Sequence, residues 1–165
     1  PEVCRGKIKD AIRVIMNDSE DALIKFVNDF KEVFKTLSPE EVAFPRSCNN
    51  VNRYVDSNSI YKKGTPIHVK GSLIYNHNIY KHKLQRKYPL IKDGNKIKFL
   101  MLKQPNTVKD TVISFSTKIP YEFELHKYVD YDTQFEKTFT DPLRFILDSI
   151  GWKLEREATL EAFFG

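Results

Sequence analysis

Residues 88–116, YPLIKDGNKIKFLMLKQPNTVKDTVISFS, decide the fold class, because they predict β-strands between two regions that predict helices. Two runs, 89–91 and 96–102, flank the tripeptide Asp93-Gly94-Asn95, which is a strong turn signal. We therefore expect a β-hairpin at residues 88–102. A third strand is expected at 111–116, after a loop that contains Pro105.

The residues before this stretch predict helices. Apolar residues recur at i, i+3, i+4 and i+7 in residues 5–16, and the same spacing continues without a break through residues 23–37. The apolar positions of the second helix are Leu23, Phe26, Val27, Phe30, Val33, Phe34 and Leu37. The sequence Ser38-Pro39-Glu40-Glu41 has the form of a capping box with proline at the first helical position, so a short third helix or turn should follow.

The rest of the chain completes the expected topology. Residues 44–64 predict a loop with short extended pieces, and a helix is expected to restart at Thr65-Pro66 with Thr65 as its cap. Helices should return at 131–139 and 142–150, the second closed by Gly151. The order of N-terminal helices, a small antiparallel sheet, C-terminal helices and a short C-terminal tail predicts an α+β fold.

Composition limits the classes of protein to consider. A chain of 165 residues that is 41% hydrophobic can bury one ordinary core, so we expect one domain. No apolar run approaches the roughly twenty residues that a membrane span needs, and we expect no membrane partner. Cys4 and Cys48 are too few for a disulfide framework and predict a reducing compartment.

Positive charge is concentrated in residues 57–109, which we call the basic segment. It holds twelve Lys or Arg residues against one acidic residue, Asp93. Its cations are Lys62, Lys63, Lys70, Lys81, Lys83, Arg86, Lys87, Lys92, Lys96, Lys98, Lys103 and Lys109. Four tyrosines lie among them, a mixture that suits phosphates and sugars. A solvated lysine-rich face is the alternative, but this excess of cations favours a polyanionic partner.

The sequence offers little support for catalysis. Asp130 and Asp132 are spaced like paired carboxylates that hold metal ions for phosphoryl transfer, but they directly precede a predicted helix, where Asp commonly acts as a cap. The histidines and cysteines lack zinc-site spacing, and no phosphate-loop or nucleophile motif is present. We therefore expect no metal site and no catalytic residue in this chain.

Three ordered stretches carry a family resemblance. They are AFPR at 43–46, KGTPIHVKGSLIYN at 63–76 and VDYDTQFEKTF at 129–139. Together they resemble the C-terminal thumb domain of the family B replicative DNA polymerases of T-even-like bacteriophages, and the resemblance covers nearly the whole chain. It implies part of a DNA-directed DNA polymerase, a nucleotidyltransferase, whose thumb grips primer–template duplex DNA through backbone phosphates.

The resemblance also implies which cations contact DNA. Lys70 takes the place of the cation in a histidine–x–basic–glycine motif, and Lys137 takes that of the lysine in a glutamate–lysine–threonine–phenylalanine motif. Asp141 departs from the family, in which a lysine can stand there, and Arg144 is expected to substitute from one helical turn later. The DNA-binding residues so implied are Lys63, Lys70, Lys103, Lys109, Lys137 and Arg144.

The last eight residues, ATLEAFFG, carry a second family feature. Leu160, Phe163 and Phe164 look like the sliding-clamp-binding peptide that these polymerases carry at their C-terminus. One turn of helix would bring the three side chains to one pocket on the clamp. Packing of these aromatics on the chain's own core is the alternative. We therefore expect a thumb domain at 1–152 and a clamp-binding tail at 153–165.

What the resemblance implies for activity is indirect. The family's catalytic aspartates and their Mg²⁺ lie in a palm domain that precedes this segment, so this chain should hold no cofactor and be inactive alone. The implied partners are duplex primer–template DNA, the sliding clamp and the palm and exonuclease portion of the polymerase, in the cytoplasm of the infected bacterial host during viral DNA replication. The short length of the chain fits two explanations equally: a domain excised or truncated from a full polymerase, or the product of a split gene. A freestanding duplex-DNA-binding module or a clamp-binding adaptor stays open as an alternative.

Overall fold

A computed structural model describes residues 1–154, which form helices and one small sheet. The helices are α1 (Glu2–Asn17), α2 (Glu20–Phe34), α3 (Pro39–Val42), α4 (Ile67–Lys81), α5 (Tyr131–Phe135) and α6 (Asp141–Asp148). The strands are β1 (Phe44–Cys48), β2 (Asn95–Met101) and β3 (Val112–Phe115), in the antiparallel order β1-β2-β3. The predicted α+β class is confirmed.

The chain divides into two compact units. The sheet unit comprises Pro1 and Leu37–Gln134, and the helical unit comprises Glu2–Thr36 and the described residues from Phe135 onward. The basic segment belongs entirely to the sheet unit. The predicted boundary between a thumb at 1–152 and a tail at 153–165 stays a prediction, because most of the tail lies outside the described residues.

The predicted hairpin at 88–102 is wrong, because β2 pairs with β1 and β3 and residues 89–91 form no strand. The Asn76 side chain of α4 takes up both backbone polar groups of Ile91, accepting from its N–H at 2.8 Å and donating to its carbonyl at 2.9 Å. Pro89 has no N–H to offer a neighbouring strand. The turn itself is present, with Gly94 at φ +82° donating its N–H to the Cys48 carbonyl.

Helix α4 packs closely on β3, and Gly71 makes this possible. A β-carbon on Gly71 would lie 2.8 Å from the backbone nitrogen of Ser114, which is closer than real contacts allow. The Ser114 hydroxyl donates to the carbonyl of His68 at 2.9 Å and ties the strand to the first turn of the helix. The predicted cap at Thr65 is wrong, because its hydroxyl donates to the Lys62 carbonyl and the helix begins after Pro66.

The core of the helical unit is aromatic. The rings of Phe30 and Phe139 lie 4.8 Å apart, those of Phe34 and Phe135 lie 5.1 Å apart, and such edge-on pairs add to ordinary apolar burial. Phe30 and Phe34 lie at helical spacing on α2, as the sequence predicted. The thiol of Cys4 is buried beside the core and donates to the Thr138 hydroxyl at 3.6 Å.

The helix predicted at 131–139 is regular only as far as Phe135, and Glu136–Thr140 form a π-helical turn before α6. Pro142 explains the change, because it lacks an N–H and its ring would clash with the Thr138 carbonyl in a continuous α-helix. Widening the turn moves that carbonyl away from the ring. Gly151, predicted to close α6, has a left-handed φ of +75° just after the helix.

Candidate nucleic-acid interface

Most cations of the basic segment are exposed on the sheet unit. The exposed ones are Lys62, Lys63, Lys81, Lys83, Arg86, Lys87, Lys92, Lys96, Lys103 and Lys109. Lys70 and Lys98 are half-buried. The exposed cations, most of them on loops, therefore present positive charge that can neutralise phosphates.

Lys70 projects from α4 into a three-residue cluster. Its ammonium lies 3.2 Å from the Asp110 carboxylate and 4.9 Å from the centre of the Tyr61 ring. The Tyr61 hydroxyl donates to the second oxygen of Asp110 at 2.6 Å. Sequence spacing gave no sign of this cluster, because its members lie 9 to 49 positions apart in the sequence.

The electrostatics of the cluster are those of a stable ion pair. Burial is the largest influence on Lys70 and opposes its charge, but the hydrogen bonds and charge interactions with Asp110 and Tyr61 together outweigh it and raise the lysine pKa. Burial likewise opposes ionisation of Asp110, and the hydrogen bonds from Tyr61, Thr111 and Lys70 more than compensate, so the pKa of its carboxyl is lowered. The Lys70 ammonium is thus charged and already has one anionic partner.

Lys103 and Lys109 lie on a loop that Asn106 organises. The Asn106 side chain donates to the carbonyls of Lys103 and Asp110 at 2.8 and 2.7 Å and accepts the Val108 N–H at 3.0 Å. Lys109 has a left-handed φ of +57°, which a lysine adopts only where the loop demands it. This loop places the exposed Lys109 directly beside the Lys70–Asp110 pair.

The two remaining predicted cations belong to the helical unit. Lys137 is exposed on the π-helical turn. Arg144, on α6, lies 3.6 Å from the Glu136 carboxylate and 3.5 Å from that of Asp141. Arg144 therefore has one acidic neighbour on the preceding π-helical turn and one on its own helix, Asp141, the residue for which it was expected to substitute.

Asp130 acts as a helix cap, as the sequence predicted. Its carboxylate accepts the backbone N–H of Thr133 at 3.1 Å and the hydroxyl of the same residue at 2.8 Å. Residues 1–154 contain no cluster of three or more His, Cys, Asp or Glu side chains that could hold a metal ion.

Two open depressions adjoin along α4 in the sheet unit. One has a volume of about 490 Å³ and is lined by Tyr61, Lys81 and Lys109 among others. The other, of about 680 Å³, is lined by Tyr80 and by a mixture of apolar and polar side chains. Sequence analysis missed both, because their walls come from segments far apart in the chain.

Similarity to known proteins extends along the chain. The chain is 26% identical to a DNA-directed DNA polymerase of Enterobacteria phage T4 over 169 aligned residues, which cover 100% of the chain. The chain resembles phage DNA polymerases over its whole length. A DNA-directed DNA polymerase of Escherichia phage RB69 is 27% identical across 99% of the chain. The chain spans 18% of the length of each of these polymerases, and no family model matches it.

These polymerase relatives confirm the resemblance inferred from the three ordered stretches. The individual DNA contacts stay predictions. The clamp-binding residues Leu160, Phe163 and Phe164 lie outside the described residues. None of the helices in residues 1–154 is both long and apolar enough to cross a membrane.

Proposed function

We propose that the chain is the non-catalytic thumb part of a phage DNA-directed DNA polymerase of family B. The observation that carries this proposal is the similarity to two phage polymerases along the whole chain. The thumb grips primer–template duplex DNA through backbone phosphates, and the cations used are Lys63, Lys70, Lys103, Lys109, Lys137 and Arg144. Phosphate contacts of this kind fix position and carry no sequence information.

The chemistry of the sheet unit supports the proposal. Exposed lysines on irregular loops can follow a sugar–phosphate backbone, and the loop held by Asn106 presents two of them, Lys103 and Lys109. Lys70 is the exception, because it already pairs with Asp110. Its contact with a phosphate requires the ammonium to serve two anions or to exchange one for the other.

The remaining steps of replication belong to other parts of the polymerase. The palm and exonuclease portion supplies the aspartates and Mg²⁺ of the parent enzyme, so the chain alone makes no DNA. The site of action is the cytoplasm of the infected bacterial host. In the tail at 153–165, Leu160, Phe163 and Phe164 tether the enzyme to the sliding clamp.

Duplex binding is tested by fluorescence anisotropy across about 50 to 200 mM salt. Replacing Lys63, Lys103 and Lys109 together by Gln should weaken binding and reduce the slope of log affinity against log salt by about 0.9 for each lost phosphate contact. The matched control replaces Arg5, Lys9 and Lys25, which are exposed on α1 and α2, and changes net charge equally. Equal losses in both variants would leave only a net-charge effect and refute the assigned contacts.

The same titration separates the proposal from a freestanding DNA-binding module. A thumb that normally works with a palm should bind duplex weakly by itself, whereas an independent module should bind tightly with steep salt dependence. Tight binding by the isolated chain at about 200 mM salt would therefore favour the module.

The clamp contact needs its own experiment. The full chain and a Phe163→Ala, Phe164→Ala variant are titrated with the sliding clamp of the same genome. Binding at micromolar strength or better that the double variant loses would support tethering. Equal binding by both would refute the contact assigned to Phe163 and Phe164, and binding by neither would remove the clamp from the proposal; duplex binding is judged separately in either case.

A further inference from the structure

The smaller of the two depressions along α4 suits a phosphate. Lys81, the last residue of α4, and Lys109 both line it and are exposed, although they are far apart in sequence. Thr107 and Asn78 add polar side chains to its wall. Asp110 also lines it, but its charge is offset by Lys70 at 3.2 Å and its second oxygen is occupied by the Tyr61 hydroxyl. The depression therefore presents a net positive surface.

The larger depression suits a flat apolar group. Its walls include Val55, Leu73 and Leu90, and the Tyr80 side chain beside them is 55% exposed. An exposed ring at the edge of an apolar depression offers a face on which another ring can stack. Half-exposed Val55 adds to the apolar surface left in contact with solvent.

The acidic residues of the larger depression hold the loops around it. The Asp56 carboxylate accepts from the Asn58 N–H at 3.0 Å and from the Ser59 hydroxyl at 3.2 Å. That of Asp93 accepts the Val51 N–H at 3.2 Å. Their remaining acceptor positions match the amino groups on the edges of nucleobases. They offset the charge of the exposed Lys92, which also lines this depression, so the larger depression suits a phosphate less well than the smaller one does.

The two depressions adjoin, because Ser59, Ile60 and His77 line both. A ligand that covers them needs a phosphate at one end and a planar ring at the other. We propose that this pair of depressions binds a nucleotide of single-stranded DNA, with its phosphate at Lys81 and Lys109 and its base against Tyr80. A duplex cannot supply that base, because its rings are stacked and paired, whereas a single strand presents them freely.

This site goes beyond the proposed grip on duplex DNA, and only Lys109 belongs to both. The test therefore uses Tyr80→Ala and Lys81→Gln, which lie outside the duplex contacts. Lys96→Gln is the control, because Lys96 is exposed in the same basic segment and lines neither depression. All are made in the full chain, and circular dichroism with thermal unfolding verifies that each folds.

Each variant is titrated by fluorescence anisotropy with a labelled single strand of about a dozen nucleotides and with the matched duplex. Tyr80→Ala should weaken single-strand binding about tenfold, as expected for a lost stacking platform, and change duplex binding less than twofold. Lys81→Gln should lower the salt slope for the single strand by about 0.7. Lys96→Gln should match the wild type in affinity for the single strand.

A competition arm with a deoxynucleoside monophosphate identifies the source of the ligand. Displacement of the strand by the mononucleotide, lost in Tyr80→Ala, would show that one nucleotide fills the site. Displacement only by a longer strand would show that the bound strand makes further contacts outside the two depressions. Equal losses of single-strand affinity in Tyr80→Ala and Lys96→Gln, or no single-strand binding at all, would overturn the inference. The duplex titration then judges the thumb proposal separately.

Discussion

At the scale of single residues, Lys70 shows how a predicted contact can be restrained by its own surroundings. Asp110 holds its ammonium at 3.2 Å, and Tyr61 and the Thr111 backbone fix the carboxylate in place. The carboxylate therefore competes with any phosphate that approaches Lys70. Asp110 is thus an intramolecular competitor of the DNA backbone for the Lys70 ammonium.

Replacing Asp110 by Asn should raise duplex affinity. The amide keeps an oxygen for the Tyr61 hydroxyl but removes a negative charge beside Lys70 and Lys109, and a gain of about two- to fivefold is expected from the lost repulsion. Anisotropy titrations at low salt measure it. Glu124→Gln, which removes an exposed charge from the same unit, is the control. Unchanged affinity in Asp110→Asn would mean that Lys70 does not face DNA.

A second acidic residue, Glu122, should make the free energy of unfolding depend on pH. Glu122 accepts a hydrogen bond from Lys87 at 2.6 Å, and this lowers the pKa of its carboxyl from 4.5 to about 2. The pKa of Glu122 is lower in the folded than in the unfolded state. The Glu122–Lys87 pair therefore adds to the free energy of unfolding above about pH 4.5, and this contribution is lost as pH falls toward 2. As the pH is lowered over this range, the melting temperature should fall less in Glu122→Gln than in the wild type. Parallel curves would contradict the assignment.

At the scale of elements, the contact of α4 with β3 rests on the missing side chain of Gly71. Gly71→Ala should destabilise the fold by about 1–3 kcal/mol, because the added carbon meets the backbone of Ser114. Gly6→Ala is the matched control, since nothing lies within 4 Å of the added carbon and Ala favours helix α1, so a gain of up to about 1 kcal/mol is expected. Urea unfolding compares the two. Equal effects would argue against the close approach.

Elements whose signals are local were predictable from the sequence. Helix α2 and the capping box at Ser38 and Glu41 depend on residues three or four apart, and the structure has both. The predicted hairpin was wrong because strand pairing depends on contacts between residues that are far apart in the sequence. Asn76, a residue of α4, captures Ile91, and β1 takes its place beside β2.

The candidate site divides in the same way. The excess of cations and their aromatic neighbours were visible in the composition of the basic segment. The Lys70–Asp110 pair and the two depressions were not, because they join residues whose separation carries no periodic signal. Sequence composition therefore predicts a polyanionic partner, and the fold supplies the geometry of the candidate surface.

At the scale of the whole molecule, each compact unit contains one free, buried cysteine. Cys4 lies in the helical unit and Cys48 in the sheet unit, and burial raises the pKa of both thiols. Neither should react at the rate of an exposed cysteine under native conditions, since the thiolate is the reactive form. Pulsed alkylation followed by peptide mass spectrometry measures this, and rapid native labelling would contradict the burial.

The two native cysteines thus provide a separate reporter of unfolding for each compact unit. Increasing denaturant between labelling pulses would report when each thiol becomes accessible, with no introduced probe. If the two thiols become reactive at the same urea concentration, the chain melts as one cooperative body. If one precedes the other, the order identifies the half that opens first.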